Sequence, residues 1–250
     1  PRAPKPEATS PVSAGGEGWP RAPKPEATSP VSAGGEGGRI PDSDAVFLAL
    51  ASTIRVHRLP VALFEDLIGA FRQDVTTTRY DTWEGLLDYC RRSANPVGRL
   101  VLRVAGATDD RLDCASDAVC TALQLTNFWQ DVDRDWQKGR LYVPLADCRR
   151  FGAREEALAA RRWTAAWRLV LGDMASRTRR LFDDGRSVCD GVSGRLRYEL
   201  RFTWLGGRRI LDRLERAGFD VFTSRPALGL ADVPALAWQA TAWRRNPAAT

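Results

Sequence analysis

The chain has 250 residues, of which 44% are hydrophobic and 27% are charged, and these are ordinary proportions for a globular protein. That length suits one domain with a sizeable core. Lys and Arg number 37 against 31 Asp and Glu, so the net charge is +6, which suits a nucleic acid, an anionic membrane surface or a phosphorylated substrate. No basic run is interleaved with aromatic residues as in single-strand binders, so nucleic acid is not an expected partner.

The cysteine pattern argues against a disulfide framework or a zinc site. The five cysteines are odd in number and include no CxxC pair. A reducing compartment fits this usage, and no apolar run approaches the ~20 residues of a membrane span. The chain is therefore expected in the cytoplasm, with peripheral membrane association left open.

The N-terminus is an exact repeat. Residues 1–18, PRAPKPEATSPVSAGGEG, recur letter for letter as residues 20–37. A segment that consists mainly of Pro, Gly, Ala, Ser and Glu has too few large apolar side chains to form a core. Residues 1–40 are therefore predicted to be a disordered low-complexity segment.

Residues 41–230 are predicted to form one helical domain. Asp44 can cap a helix over residues 45–56, and Pro60 opens a second one. Their apolar residues, including Val46, Phe47, Ile68 and Phe71, are expected to face inward. Residues 76–78 interrupt the helical pattern.

Helix signals continue through the rest of the chain. Asp81 or Thr82 caps a third helix, and Pro96 restarts it. A loop over residues 107–113 precedes a central helix that begins near residues 114–117. Residues 154–183 are predicted to be one long helix, residues 195–217 another, and residues 231–250 a ragged tail. Almost no segment alternates with period two, so the fold class is all-α.

One stripe of polar side chains marks the central helix. At about 100° per residue, Gln124, Asn127, Asp131 and Asp135 lie within about 80° of one another, whereas Asp133 points away. Carboxylates one turn apart repel each other, and a hard cation such as Mg²⁺ would reverse that cost. The alternative is a solvated helix end without a ligand.

Two cations follow this stripe. Gly139 can end the helix, and Lys138 and Arg140 flank it, as a site for diphosphate beside a metal requires. Asp109, Asp113 and Asp117 have the same spacing as the Asp131 pair. Because they lie at a helix start, where acids cap the helix and favour its dipole, they are interpreted as capping residues.

The segment NFWQDVDRDWQKGRLYVP, residues 127–144, resembles the second aspartate-rich motif of the squalene/phytoene synthase family, roughly QLTNxxxDVxxDxxxGRxYxP. RQDVTTTRY at 72–80, YCRRSANPVGRLVL at 89–102 and TWLGGRRIL at 203–211 are also similar to family segments. The resemblance extends from about residue 44 to about residue 228. Gln130, where relatives usually carry Arg, most resembles the bacterial hopanoid branch that makes hydroxysqualene.

The resemblance implies a class I isoprenoid synthase helical fold, a Mg²⁺ cofactor and a prenyl diphosphate substrate, with pathway enzymes as further partners left open. It assigns the metal to Asp131 and Asp135, and catalysis to these two with the supporting amides Asn127 and Gln124. Substrate binding falls to Arg140, Lys138, Arg92 and Tyr80. For Tyr80 the alternative is a partly buried tyrosine with a purely structural role. Arg92 stands near a position where relatives usually carry an aromatic residue.

The implied reaction is Mg²⁺-assisted conversion of presqualene diphosphate to hydroxysqualene. Two alternatives remain: head-to-head prenyl transfer that makes presqualene diphosphate or phytoene, and an inactive helical fragment that binds prenyl chains or a pathway partner. Relatives carry a first aspartate-rich helix ahead of the part that begins here at Asp44, and the repeat stands in its place. The fold is therefore expected to be incomplete at the N-terminus, with very slow or no turnover until a first-motif helix is grafted ahead of Asp44.

Overall fold

A computed structural model describes residues 42–244, so the predicted disorder of residues 1–40 lies outside the described residues. Within this range the protein is all-α, as predicted, and its only β element is a bridge between Arg79 and Leu141. The helices are α1 Asp42–Val56, α2 Val61–Gln73, α3 Trp83–Ser93, α4 Asn95–Val104, α5 Asp110–Gln130, α6 Val132–Gln137, α7 Leu145–Phe151, α8 Glu155–Ala159, α9 Ala165–Gly185, α10 Val188–Gly191, α11 Gly194–Arg216 and α12 Val233–Thr241, with a 3-10 turn at Leu230–Asp232.

Several helix ends lie where local signals predict them. The Thr82 hydroxyl accepts the Gly85 N–H at 3.1 Å and so caps α3, and Pro60 immediately precedes α2. Gly139 follows α6 with a φ of +75°, a conformation that glycine adopts without a Cβ clash. These helix ends are determined by interactions within one or two turns of the chain.

The core is built around α5, which contacts α3, α4, α6, α9, α10 and α11. Trp129 of α5 is fully buried, and its indole N–H donates to the hydroxyl of Thr178 on α9 at 2.9 Å. On the other side, Gly98 of α4 lies directly against the side chains of Ser116 and Cys120. A Cβ at position 98 would collide with both, so Gly98 sets how closely the two helices pack.

The first turns of α5 confirm the capping interpretation for Asp109 and correct it for Asp113 and Asp117, which form ion pairs with α4 instead. Asp109 accepts the N–H of Arg111 at 2.7 Å. Asp113 is buried and pairs with Arg103 at 2.5 Å, while Asp117 pairs with Arg99 at 2.6 Å. These acids hold α4 on α5 rather than forming an open carboxylate cluster.

Helix boundaries in the second half of the chain correct the sequence prediction. Residues 154–183 do not form one helix, because the chain turns at Arg161, whose φ is +50°, and α9 begins afresh after Thr164. The Thr164 hydroxyl accepts the Trp167 N–H at 3.3 Å and caps the new helix. The central helix also begins earlier than predicted, at Asp110, because Asp109 caps it.

The predicted ragged tail is wrong for the described part of residues 231–250. Helix α12 packs against α11, and its Leu236 and Ala240 are buried. The Asp232 carboxylate accepts the Gly229 N–H at 2.8 Å and stabilises the preceding turn. The helical domain therefore continues beyond its predicted limit at residue 230.

The apolar side chains of α1 and part of α2 are exposed, contrary to expectation. Val46 and Phe47 are 65% and 68% exposed, and Ile68 and Phe71 also lie open. Within residues 42–244, α1 makes no extensive contact with another helix, which agrees with the exposure of these side chains. Among the helices described, none combines the length and the apolar character that crossing a membrane requires.

Candidate active site

The predicted acidic stripe lies where α5 passes into α6. Asp131 separates the two helices, with φ −107° and ψ 15°, so the continuous helix assumed from the sequence is interrupted there. Its N–H still donates to the Asn127 carbonyl at 2.9 Å, and the Asp135 N–H donates to the Asp131 carbonyl at 2.8 Å. Because these i to i−4 bonds span the break, the helical register of Asn127, Asp131 and Asp135 is retained.

Asp135 is the electrostatically strained member of this pair. Burial, reinforced by the neighbouring carboxylate of Asp131, raises the pKa of Asp135 from its usual 3.8 to about 6, while Lys138 and Arg140 oppose the shift. The Asp131 carboxylate therefore adds to the cost of ionising the partly buried Asp135 carboxylate. A cation between them would relieve that repulsion.

Asp131 has a partner that local sequence patterns do not reveal. Arg225, in the segment between α11 and α12, donates Nε to Oδ1 at 2.6 Å and Nη2 to Oδ2 at 2.8 Å. This bidentate geometry makes an Arg–carboxylate pair strong. Arg134 lies farther from the same carboxylate, at 3.6 Å.

Asp133 belongs to a different surface, as the helical wheel predicts. Its carboxylate accepts two hydrogen bonds from Arg161, at 2.8 and 3.3 Å. Asp131 and Asp133 are therefore held by arginines from different parts of the chain, Arg225 and Arg161. This leaves Asp135 with Asp131 as the acidic pair of the site.

The remaining stripe residues and cations surround the acidic pair. Asn127 is exposed and Gln124 is half-buried, and neither side chain makes a hydrogen bond within residues 42–244. Lys138 is exposed and close enough to Asp135 to lower its pKa. Arg140 lowers it as well, while its guanidinium donates to the backbone carbonyl of Asp74 at 2.9 Å.

Tyr80 lies in a buried aromatic cluster next to these charges. Its ring centroid is 5.4 Å from that of Tyr89 and 5.8 Å from that of Tyr142. Phe128 stacks on Tyr142 at 3.8 Å with nearly parallel planes. Burial raises the pKa of Tyr80, of Tyr89 and of Tyr142, so all three keep their hydroxyl protons at neutral pH.

Arg92 lies at the outer edge of this aromatic cluster. It donates to the Gln73 side-chain oxygen at 2.5 Å and to Asp88 at 2.9 Å. Gln73 in turn donates to the Tyr80 hydroxyl at 3.3 Å. Arg92 therefore reaches Tyr80 through Gln73 and makes no described contact with Asp131 or Asp135.

The donor set fits Mg²⁺ that is shared with a phosphate ligand. No group of three or more His, Cys, Asp or Glu side chains between residues 42 and 244 is arranged to hold a metal. Two carboxylates, Asp131 and Asp135, with the nearby amide oxygens of Asn127 and Gln124, are hard oxygen donors. Mg²⁺ in proteins is often held by one or two carboxylates, water and substrate phosphates rather than by a full protein cage.

Comparison with known proteins decides the family. The squalene/phytoene synthase family profile matches residues 25–232. This chain belongs to the squalene/phytoene synthase family. A chloroplastic phytoene synthase of Daucus carota is 31% identical over 189 residues, which are 73% of this chain and 48% of that protein. A hydroxysqualene synthase of Rhodopseudomonas palustris is 41% identical over 124 residues, which are 49% of this chain and 42% of that protein.

Solved structures show the isoprenoid synthase helical fold. Squalene synthase HpnC of Alicyclobacillus acidocaldarius superposes with a TM-score of 0.67 and 47% identity, covering 69% of this chain and 66% of that one. A dehydrosqualene synthase superposes with a TM-score of 0.69 at 20% identity, which supports the fold alone. The chain spans about half the length of the curated relatives that it matches.

Among the residues around the site, Asp74, Tyr89, Tyr142 and Arg225 are not candidates from the sequence alone. Asp74, Tyr89 and Tyr142 lie within motifs that were recognised, and each could have been noted there as a polar group beside a conspicuous arginine or tyrosine. Arg225 has no such signal, because it stands in an irregular segment outside every quoted motif. Only the folded chain brings it to Asp131.

Proposed function

We propose that this member of the squalene/phytoene synthase family binds presqualene diphosphate with Mg²⁺ at Asp131 and Asp135 and converts it to hydroxysqualene, releasing diphosphate. The observation that supports the metal site is the shared helical register of Asp131 and Asp135 across the break, with the Asp135 carboxylate partly buried and its pKa raised first by burial and then by Asp131. The similarity to hydroxysqualene synthases and to HpnC supports this reaction within the family.

Asp131 and Asp135 would hold the metal, with Asn127 and Gln124 supplying further oxygens. Bound there, Mg²⁺ would neutralise charge on the departing diphosphate and orient it. Each supporting amide lies on the α5 side of the break, one or two turns before Asp131. The metal site therefore depends on the register that α5 and α6 share.

Lys138 and Arg140 would bind the diphosphate oxygens that the metal leaves uncovered. Both stand at the end of α6, and both already act on the Asp135 carboxylate. Arg140 is fixed in direction by its hydrogen bond to the Asp74 carbonyl. An anchored guanidinium loses less freedom on binding an anion than a mobile one does.

The aromatic cluster of Tyr80, Tyr89, Phe128 and Tyr142 would form an apolar wall for the hydrocarbon part of the substrate. Aromatic rings exclude water and tolerate a nearby cation on their faces. Tyr142 connects this wall to the charged side, because Arg140 and Asp135 both influence its hydroxyl. Arg92 would act at the edge of the wall through Gln73 and Tyr80 rather than on the metal.

Head-to-head prenyl transfer is the second candidate. The matched region in phytoene synthases covers 73% of this chain, against 49% for the hydroxysqualene synthase of R. palustris. Both reactions use a prenyl diphosphate, so the product distinguishes them. The inactive prenyl-binding alternative predicts ligand binding without any diphosphate release.

The test measures binding before turnover. Calorimetry with presqualene diphosphate should show Mg²⁺-dependent binding that Asp131→Asn and Asp135→Asn abolish and that Asp133→Asn preserves. Product analysis by mass spectrometry then separates hydroxysqualene from phytoene made from geranylgeranyl diphosphate. A first-motif helix grafted ahead of Asp44 forms a second arm for turnover.

Equal damage from Asp133→Asn, or binding that ignores Mg²⁺, would refute the metal site. Phytoene as product would refute the proposed reaction but retain the site. Binding without release in both arms would favour the inactive alternative.

A further inference from the structure

The ion pair between Asp131 and Arg225 covers the atoms that a metal would use. Both carboxylate oxygens of Asp131 accept a hydrogen bond from the guanidinium, at 2.6 and 2.8 Å. The pair is partly shielded from water, with side-chain exposures of 22% for Asp131 and 32% for Arg225. The hydrogen bonds that the guanidinium donates to Asp131 also raise the pKa of Arg225. In this state the guanidinium occupies one lone pair of each Asp131 oxygen and places a positive charge next to both of them.

The backbone that carries Arg225 is fastened independently of that pair. The buried side chain of Gln130 donates to the Pro226 carbonyl, and Arg213 donates to the Ala227 carbonyl. The segment therefore stays attached to α5 and α11 even if the guanidinium leaves Asp131. Only the flexible Arg225 side chain needs to move.

We propose that Arg225 is the counterion of Asp131 in the metal-free protein and that Mg²⁺ binding at Asp131 and Asp135 displaces it. This inference depends on the proposed function, since it takes Asp131 as a metal ligand. Arg225 is then a positioning residue that keeps the Asp131 carboxylate paired and oriented before the metal arrives. Its charge also repels an incoming cation, so the guanidinium and the metal compete for the same two oxygens.

Arg134 cannot fill this role equally well. Its closest approach to Asp131 is 3.6 Å, and its side chain is 62% exposed. A single long contact in solvent holds a carboxylate far less firmly than a two-pronged pair. Removing Arg225 should therefore leave Asp131 largely without a counterion.

The neighbouring pair supplies a matched control. Asp133 accepts two hydrogen bonds from Arg161 in similar geometry, and its side chain is 18% exposed. Arg161→Met removes the same charge from an acid two positions away that does not belong to the proposed metal site. Any general effect of protein net charge on cation binding appears equally in both variants.

The experiment measures Mn²⁺ binding to the full chain by electron paramagnetic resonance, with no substrate present. Arg225→Met should bind Mn²⁺ about 5–50-fold more tightly than the parent protein, within the usual range of coupled binding events. Arg225→Lys keeps the positive charge but cannot make the bidentate hydrogen bonds. Its Mn²⁺ affinity should therefore lie between those of the parent protein and Arg225→Met. Arg161→Met should leave the affinity unchanged. Circular dichroism establishes that each variant is folded.

Hydrogen exchange gives a second readout that does not depend on affinity. Because Gln130 and Arg213 keep the backbone fastened, Mn²⁺ should leave amide exchange in residues 223–229 unchanged in the parent protein and in Arg225→Met, and increased exchange there would contradict displacement of the side chain alone. Weaker or unchanged Mn²⁺ binding by Arg225→Met, with Asp135→Asn still abolishing the parent's binding, would overturn this inference alone. Absence of Mn²⁺ binding in both parent and Arg225→Met would overturn the proposed metal site as well.

Discussion

Replacing Asp135 with asparagine should stabilise the metal-free protein at neutral pH while abolishing its response to Mg²⁺. Folding raises the pKa of Asp135 from 3.8 to about 6, so the folded state binds this proton more tightly than the unfolded state does. Stability attributable to the protonated carboxyl is therefore present below pH 3.8 and is lost as the pH rises through about 6. Asparagine keeps the shape and never ionises.

The size of the effect follows from the shift. About two pKa units correspond to roughly 3 kcal/mol, and screening by solvent at this half-buried position reduces the expected gain to about 1–2 kcal/mol. For a domain of this size that is an increase in melting temperature of about 2–8 °C. The gain in stability of Asp135→Asn over the parent protein should be complete above pH 6 and should vanish near pH 3.8.

Thermal unfolding with a chelator, followed by circular dichroism between pH 4 and pH 8, measures this difference. Asp133→Asn is the control, because it loses the pair with Arg161 and should cost up to about 1 kcal/mol. Addition of Mg²⁺ should raise the melting temperature of the parent protein and of the control, but not that of Asp135→Asn. An Asp135→Asn variant no more stable than the parent at pH 7.5 would refute the strained-carboxylate argument.

Three further changes test other parts of the argument. Arg140→Gln should weaken Mg²⁺-dependent diphosphate binding about 10–100-fold, the worth of a charged hydrogen bond, as measured by calorimetry with pyrophosphate. Thr178→Val leaves the buried indole N–H of Trp129 without its acceptor, and urea unfolding should show a loss of about 1–3 kcal/mol. Asp113→Asn breaks the buried pair with Arg103 and should lower the free energy of unfolding by about 3 kcal/mol. The Mn²⁺ affinity should stay unchanged, and a change in it would contradict the structural role of Asp113.

Some boundaries that the sequence analysis missed do have local signals. Thr164 is a good N-cap residue, and recognising it would have divided residues 154–183 into α8 and α9. Pro234 in the first turn of α12, after Asp232, is a helix start signal that argues against a ragged tail. Both signals lay within amphipathic stretches, where apolar periodicity dominated the interpretation.

What the sequence by itself determined is the all-α class, most of the helix ends and the pairing of Asp131 with Asp135 on one helical face. These depend on interactions within one or two turns, such as the Thr82 cap and the left-handed turn at Gly139. A register of about 100° per residue places acids four positions apart together even across the break at Asp131.

The tertiary structure alone decided the electrostatics of the site. Arg225 reaches Asp131 from 94 positions away, and the tyrosine cluster combines segments around Tyr80, Tyr89 and Tyr142. The raised pKa of Asp135 comes mainly from burial, which depends on how the whole bundle packs. Side chains that are distant in sequence meet only after the core has formed, so no local pattern encodes their distances, their shielding from water or the charge that each places on the other.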